Sequence, residues 1–229
     1  MRALVIGASR GIGLEFVRQY RADGAQVTAT ARDEAGLGRL RALGASAVAL
    51  DVTSAESCSR LAWQLDGGAF DVVIVNAGVY GPRSSGIEAP SEADFDAVMH
   101  ANVLGPMRVV GQIAELLEPQ ARLAVISSRM GAIGPRTSAS GWLYRASKAA
   151  LNSVLKDISI TLGANAGDEA AAPPVCVAFH PGWVRTDMGG SGADLDVADA
   201  VAGMRRTLAA LTAADNGRFL NYDGSGIDW

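Results

Sequence analysis

Cysteine and histidine are scarce, with two of each in 229 residues: Cys58, Cys176, His100 and His180. Their spacing offers neither a disulfide framework nor a set of metal ligands, so no zinc site is expected and a reducing, cytoplasmic setting is the default. An excess of positive charge is missing as well. The net charge of −4 argues against nucleic acid and anionic membrane surfaces, which call for a basic patch. No apolar run approaches the length of a membrane span, and the N-terminus enters a strand-like segment at once, without the architecture of a signal peptide. Repeats, low-complexity tracts and linkers are lacking too. What remains, 49% hydrophobic and 19% charged residues, suits one α/β domain over residues 1–229.

Short apolar runs alternate with longer helical patterns. Strands are expected at Ala3 to Ile6, Gln26 to Thr30, Ala47 to Leu50, Asp71 to Val75, Arg122 to Ile126, Val175 to Phe179 and Arg218 to Leu220. Several show little polar alternation, as strands covered on both faces should. Helices are expected over Ile12 to Ala22, Asp33 to Leu43, Ala55 to Leu65, Ala93 to Leu117, Tyr144 to Leu162 and Val197 to Leu211. The alternation predicts a Rossmann-type, doubly wound parallel sheet of about seven strands with helices on both faces. The loops rich in Gly, Pro and Ser follow strand C-terminal ends, the edge where open α/β sheets bind ligands.

After the first strand comes Gly7-Ala8-Ser9-Arg10-Gly11-Ile12-Gly13, then a helix. Glycines there permit a tight turn and let backbone N–H groups approach a pyrophosphate at a helix N-terminus. The spacing differs from the common G-x-G-x-x-G, and a plain tight turn is the bland alternative. The second strand runs into Thr30-Ala31-Arg32-Asp33. Where NAD-binding domains commonly place a carboxylate for the ribose 2′-OH, Arg32 offers a planar cation suited to a 2′-phosphate. Arg10 is a second positive group, Asp33 an opposing one. The pair favours NADP(H) over NAD, although both arginines are also compatible with a plain surface role.

Tyr144-Arg145-Ala146-Ser147-Lys148 opens the fifth helical pattern. Residues four apart share a helix face, so Tyr144 and Lys148 can act at one point. A phenol is a poor acid near neutrality, and a neighbouring ammonium stabilises the phenolate and draws its pKa toward the working range. Alone, the pairing is a common coincidence.

In sequence order these features resemble the short-chain dehydrogenase/reductase family over nearly the whole chain. Gly7, Gly11 and Gly13 match its glycine pattern, Asp51-Val52 its adenine-contacting position and Asn76-Ala77-Gly78 its turn after the fourth strand. Asn102, Ser128, Tyr144 and Lys148 fall at its catalytic positions. Pro181-Gly182-Trp183-Val184-Arg185-Thr186 matches the segment that closes over the nicotinamide end. Finer similarity, at Gly11 to Arg18, Ser127 to Gly131, Tyr144 to Asn152, His180 to Met188 and Gly217 to Gly224, is to the C-factor and sniffer-like branch of carbonyl reductases. Three features depart from the family, one being the short stretch Gly189-Gly190-Ser191-Gly192 after Thr186, where many relatives carry a longer helical substrate lid. Ile6 replaces a Thr whose hydroxyl ties the glycine loop, and the sixteen positions from Ser128 to Tyr144 leave Ser127 as a second candidate serine.

The resemblance implies NADPH-dependent reduction of a ketone, aldehyde or quinone. Tyr144 would be the proton donor and Ser128 would polarise the carbonyl. Lys148 would lower the Tyr144 pKa and bind the ribose, while Asn102 would hold the helix and a water chain. Cofactor contacts would also come from Ser9, Arg10, Ile12, Arg32, Pro181, Gly182, Val184 and Thr186. Substrate loops are expected near 79–90, 128–143 and 183–195. Tyr80, Met130, Trp142, Trp183 and Met188 would give an apolar mouth, or equally serve as loop anchors. No charged residue obviously addresses a substrate carboxylate or phosphate, and Arg129, Arg136 and Arg145 are the nearest candidates. The helices at 93–117 and 144–162 suggest a homodimer. A non-catalytic NADP-binding regulator of the same fold is the alternative reading.

Overall fold

Side chains two apart on a strand face the same way, so an apolar run without alternation needs cover on both sides. The computed structural model describes residues 1–65, 67–84, 86–164 and 172–229 and shows that arrangement. The strands are β1 (Arg2–Ile6), β2 (Gln26–Ala31), β3 (Ser46–Ala49), β4 (Phe70–Val75), β5 (Leu117–Ile126), β6 (Val175–His180) and β7 (Arg218–Asn221). They form one sheet in the order β3-β2-β1-β4-β5-β6-β7, and every pairing is parallel.

One face is covered by α1 (Gly11–Ala22), α2 (Glu34–Ala42) and α8 (Val197–Ala210), with Phe16, Leu40 and Met204 packed on Ala3, Val5, Ile74 and Phe179. The other is covered by α3 (Ala55–Ser59), α4 (Leu61–Gln64), α6 (Gly105–Ile113) and α7 (Trp142–Ala164). There Leu61, Val109, Ile113 and Leu155 pack on Leu4, Ile6, Val73 and Val75. Adjacent strand residues thus enter opposite layers. Strand order reverses between β1 and β4, so the loops after them diverge and leave a crevice at the C-terminal edge of the sheet. No helix among the described residues is long and apolar enough to cross a membrane.

Beyond shifts of one or two residues at element ends, the structure corrects the expected boundaries in three places. The expected helix over 55–65 divides at Arg60 into α3 and α4. The helix expected over 93–117 is not one helix. It comprises α5 (Glu92–Met99), a π turn over His100–Leu104, α6, and a 3-10 turn over Ala114–Leu116. Pro106, in the first turn of α6, has no N–H for the carbonyl four residues back, which belongs to Asn102. The π turn accommodates that gap, with Gly105 N–H bonded to His100 O. Lastly, Leu117 begins a strand and does not end a helix. β5 is longer than its apolar core because Phe70 pairs with Leu117 but Val72 with Arg122. The surplus residues, Pro119 and Gln120 (φ 62°) among them, form an irregularity that hydropathy does not reveal.

Phe16 is fully buried between α1 and the sheet and stacks on Tyr20 at 6.1 Å. Phe16→Ala is expected to cost about 3–5 kcal/mol of unfolding free energy. The check is the denaturant midpoint. A loss under about 1 kcal/mol would mean that α1 is not held by this contact.

Candidate active site

The turn after β1 is fixed from below. Gly7 N–H donates to Thr30 Oγ1 at 3.0 Å, and Ala8 N–H to Thr30 O at 2.8 Å. The hydroxyl tie missing at Ile6 is therefore supplied by Thr30 from β2. Gly7 has φ 80°, and a Cβ on it would stand 2.6 Å from the Ala77 Cα. A Cβ on Gly13 would stand 2.4 Å from Gly7 O, an oxygen that also accepts from Asn76 Nδ2 at 2.7 Å. The loop after β1, the start of α1 and the Asn76-Ala77-Gly78 turn are thus interlocked, which only glycine permits at positions 7 and 13. Gly11 lies under Thr186: a Cβ there would meet Thr186 Cγ2 at 3.4 Å. Arg10 pairs with Asp187 at 2.9 Å, a second tie between the glycine loop and the segment after β6.

At the end of β2, Asp33 is occupied as a helix cap, its Oδ1 accepting from Gly36 N–H at 2.6 Å. That use accounts for a carboxylate at this position. Arg32 is exposed beside it, and its charge reaches Asp51. Burial alone would raise the Asp51 carboxyl, but two hydrogen bonds from Thr53 and the Arg32 charge bring it below the usual carboxylate range. Val52 packs on Gly105 of α6. One cation was missed in the sequence: Arg39, one turn into α2, donates to Ser9 O at 2.8 Å. Only the close approach of α2 to the glycine loop reveals it. A Cβ on Gly36 would stand 2.9 Å from Ser9 Cβ.

Tyr144 and Lys148 project from the first turns of α7 and are both buried. Lys148 Nζ donates to Ile126 O at 2.9 Å and lies 5.7 Å from the Tyr144 ring centroid. Burial lowers its amine to about 8. Burial also pushes the Tyr144 phenol up to about 12, opposed by the Ser128 hydroxyl and reinforced by the Tyr80 phenol. The expected lowering of the phenol by the amine is not found: Lys148 is not among the groups that move the Tyr144 phenol, and its amine is bonded to the end of β5. Tyr80 stacks on Tyr144 with centroids 4.6 Å apart.

Both serines line the cavity beside Tyr144, but their partners differ. Ser127 Oγ donates to Asn152 Oδ1 at 2.6 Å, whereas Ser128 Oγ accepts from Met130 N–H at 3.1 Å and interacts with the Tyr144 phenol. Asn102, in the π turn, is wholly buried. Its amide clamps Val79, accepting from the N–H and donating to the carbonyl, each at 2.8 Å, and its other N–H reaches Ser147 Oγ at 2.9 Å. A side chain at Gly78 would stand 3.0 Å from Asn102 Oδ1 and 3.5 Å from Lys148 Nζ. A glycine at 78 therefore keeps the space beside the amine clear.

Ser128 and Tyr144 border that cavity, of about 540 Å³, whereas Asn102 and Lys148 lie behind its wall and do not line it. Ile12, Ser128, Tyr144, Pro181, Gly182, Val184 and Thr186 line it, as do Tyr80, Met130, Trp183 and Met188. All three expected substrate loops contribute, residue 85 of the first lying outside the described residues. Trp142 does not line the cavity. It begins α7 and is 36% exposed, because the helix starts two residues before Tyr144 and turns that indole away. His180, also on the wall, was not foreseen as a site residue. Burial, with help from Arg129, lowers its imidazole to about 4, so it is neutral.

Comparison with known proteins shows the family. Residues 1–194 match the family model for short chain dehydrogenases. The C-signal protein of Myxococcus xanthus is 38% identical over 164 residues, covering 71% of this chain and 94% of that protein. A carbonyl reductase from Pseudomonas aeruginosa PAO1, solved in complex with NADP, is 32% identical with a TM-score of 0.85, covering 100% of this chain and 99% of that one. The carbonyl reductase Sniffer of D. melanogaster is 28% identical with a TM-score of 0.88 and the same coverage. The chain belongs to the short-chain dehydrogenase/reductase family.

Proposed function

We propose that this chain is an NADPH-dependent reductase of carbonyl compounds in which Tyr144 donates the proton. The observation that carries the proposal is the placement of the Tyr144 phenol with the Ser128 hydroxyl on the wall of a cavity that reaches back to Ile12 of the glycine loop. NADP bound in the Pseudomonas reductase supports the choice of cofactor. The cradle fits it: at Gly7 and Gly13 only glycine leaves room for the tight turn, Arg39 donates to Ser9 O, Arg10 lies in the loop itself and Arg32 stands exposed at the end of β2. Those arginines would hold a 2′-phosphate and Asp51 would address the adenine. Asn76, Ala77, Pro181, Gly182, Val184 and Thr186 would border the remainder. When bound, NADPH supplies the hydride.

The protein's own part is to hold the carbonyl and provide the proton. Ser128 Oγ donates a hydrogen bond to the carbonyl oxygen as negative charge develops there. Tyr144 Oη gives up its proton to that same oxygen. A phenol raised to about 12 is fully protonated at neutrality, as a donor must be. Lys148, one helical turn further on, would bind the ribose hydroxyls. Asn102 is a positioning residue, acting through Val79 and Ser147 to hold the turn after β4 against α7. Tyr80, Met130, Trp183 and Met188 give an apolar wall, suited to the body of a small ketone, aldehyde or quinone.

Tyr144→Phe is expected to lower turnover of an aldehyde, ketone and quinone panel by a factor of about 10²–10⁴. NADPH affinity, read by fluorescence titration, should be unchanged. A variant that keeps most of its rate would reassign the acid, and tight NADPH binding by the wild type with no turnover of any substrate would favour the regulatory reading. Arg32→Ala is expected to weaken NADPH binding roughly tenfold or more while NADH binding changes little. Equal losses for both cofactors would remove Arg32 from the 2′-phosphate site.

A further inference from the structure

The same cavity carries four arginines and no carboxylate. Arg83, Arg129, Arg136 and Arg145 line it, and none of its lining residues is Asp or Glu. Among the described residues none of the four forms an ion pair. This concentration of positive charge stands in a chain whose net charge is −4.

Arg145 is the most telling. It follows the proposed proton donor in α7 and is only 9% exposed. Its Nε donates to Ser140 O at 2.8 Å, which leaves the two terminal nitrogens as a planar pair with no partner among the described residues. Burying a guanidinium without a counter-charge is costly, and a planar pair of N–H donors is the complement of a carboxylate. The other three stand at the rim. Arg83 lies 5.3 Å from the Tyr80 ring centroid and donates to Met188 O at 3.3 Å, bridging the loop after β4 to the segment after β6. Arg129 donates to Asn221 Oδ1 at 3.0 Å and shares its charge with Asp223. Arg136 makes no side-chain hydrogen bond among the described residues and is exposed. These four come from the loops after β4 and β5 and from α7, not from the glycine loop or α2. The cations beside Ser9 are a separate set.

From this we infer that the preferred substrate is an anionic carbonyl compound: an apolar body with the reducible C=O at one end and a carboxylate at the other. Arg145 holds the carboxylate and the rim arginines draw it in. The inference rests on the reductase reading for the carbonyl end, but the anion site itself does not need turnover. A low-dielectric cavity focuses the field of the four charges, so the effect weakens as salt rises.

The test uses 4-carboxybenzaldehyde and its methyl ester, each followed by NADPH absorbance. The formyl carbon of the ester is the more electrophilic, so intrinsic reactivity works against the acid. The expected result is a kcat/KM for the acid roughly tenfold or more above that for the ester, carried by KM and shrinking with added salt. Arg145→Met should bring the acid-to-ester ratio toward one, and Arg145→Lys should restore part of it. Should Arg145→Met not fold, Arg136→Gln at the exposed rim should lower the ratio in the same direction. Equal kcat/KM for the two compounds, or a preference for the ester, overturns the inference. If neither aldehyde is turned over, the reductase reading is judged on the full substrate panel and the anion site is read by binding. Calorimetric titration of 4-(hydroxymethyl)benzoate and its methyl ester onto NADP-loaded protein then decides the anion site: binding of the acid alone supports it, and equal or no binding overturns it.

Discussion

A buried amine bonded to the end of a strand fixes how the two halves of this site meet. Lys148 Nζ reaches Ile126 O at 2.9 Å, so α7 cannot slide or rotate against β5 without stranding a charge in an apolar layer. The next turn of chain conforms to that contact. A Cβ on Gly131 would stand 2.8 Å from the Lys148 carbonyl carbon, and its absence lets the loop after β5 lie directly against the helix. Ser128 and Tyr144, sixteen positions apart in sequence, are brought to one wall as a result. Burial lowers the amine to about 8 and raises the phenol to about 12, so neither group is in its most comfortable protonation environment.

The surrounding polar contacts hold the arrangement in register. Asn102 clamps both backbone groups of Val79 and reaches Ser147, whose own hydroxyl donates to Tyr144 O at 2.8 Å. Ser127 is tied to Asn152 on the same helix. The turn after β4, the turn after β5 and the start of α7 are therefore one hydrogen-bonded unit beneath the cavity. The glycine loop is a second unit, locked through Gly7, Gly13 and Asn76 and joined to the segment after β6 by the Arg10–Asp187 pair. A ligand lying across both units would meet the glycine loop at one end and the phenol at the other.

Much of this was legible in the sequence because it is written locally. Buried parallel strands announce themselves as unbroken apolar runs, the tight turn by its glycines, and the phenol–amine pair by helical spacing. What stayed hidden depends on contacts between distant segments. The tie from Thr30 to Gly7, the reach of Arg39 to Ser9 and the stacking of Tyr80 on Tyr144 leave no periodic trace. Asp33, which looked like a vote against NADP, proves to be a helix cap. The π turn and the surplus residues in β5 were missed because Pro106 and Pro119 disturb hydrogen bonding and leave the hydropathy pattern unchanged. Trp142 was misplaced by two residues of helix. The arginines at 129, 136 and 145 were visible one by one, but only folding of the loops after β4 and β5 gathers them, with Arg83, round one cavity.

The most direct test of the account is a crystal structure of the protein with NADP and an unreactive carbonyl mimic bound together. The account places the ligand oxygen within about 2.6–3.2 Å of both Tyr144 Oη and Ser128 Oγ. An oxygen held by other donors, with the Tyr144 hydroxyl turned away from it, would contradict the assignment of the proton donor and the mechanism built on it.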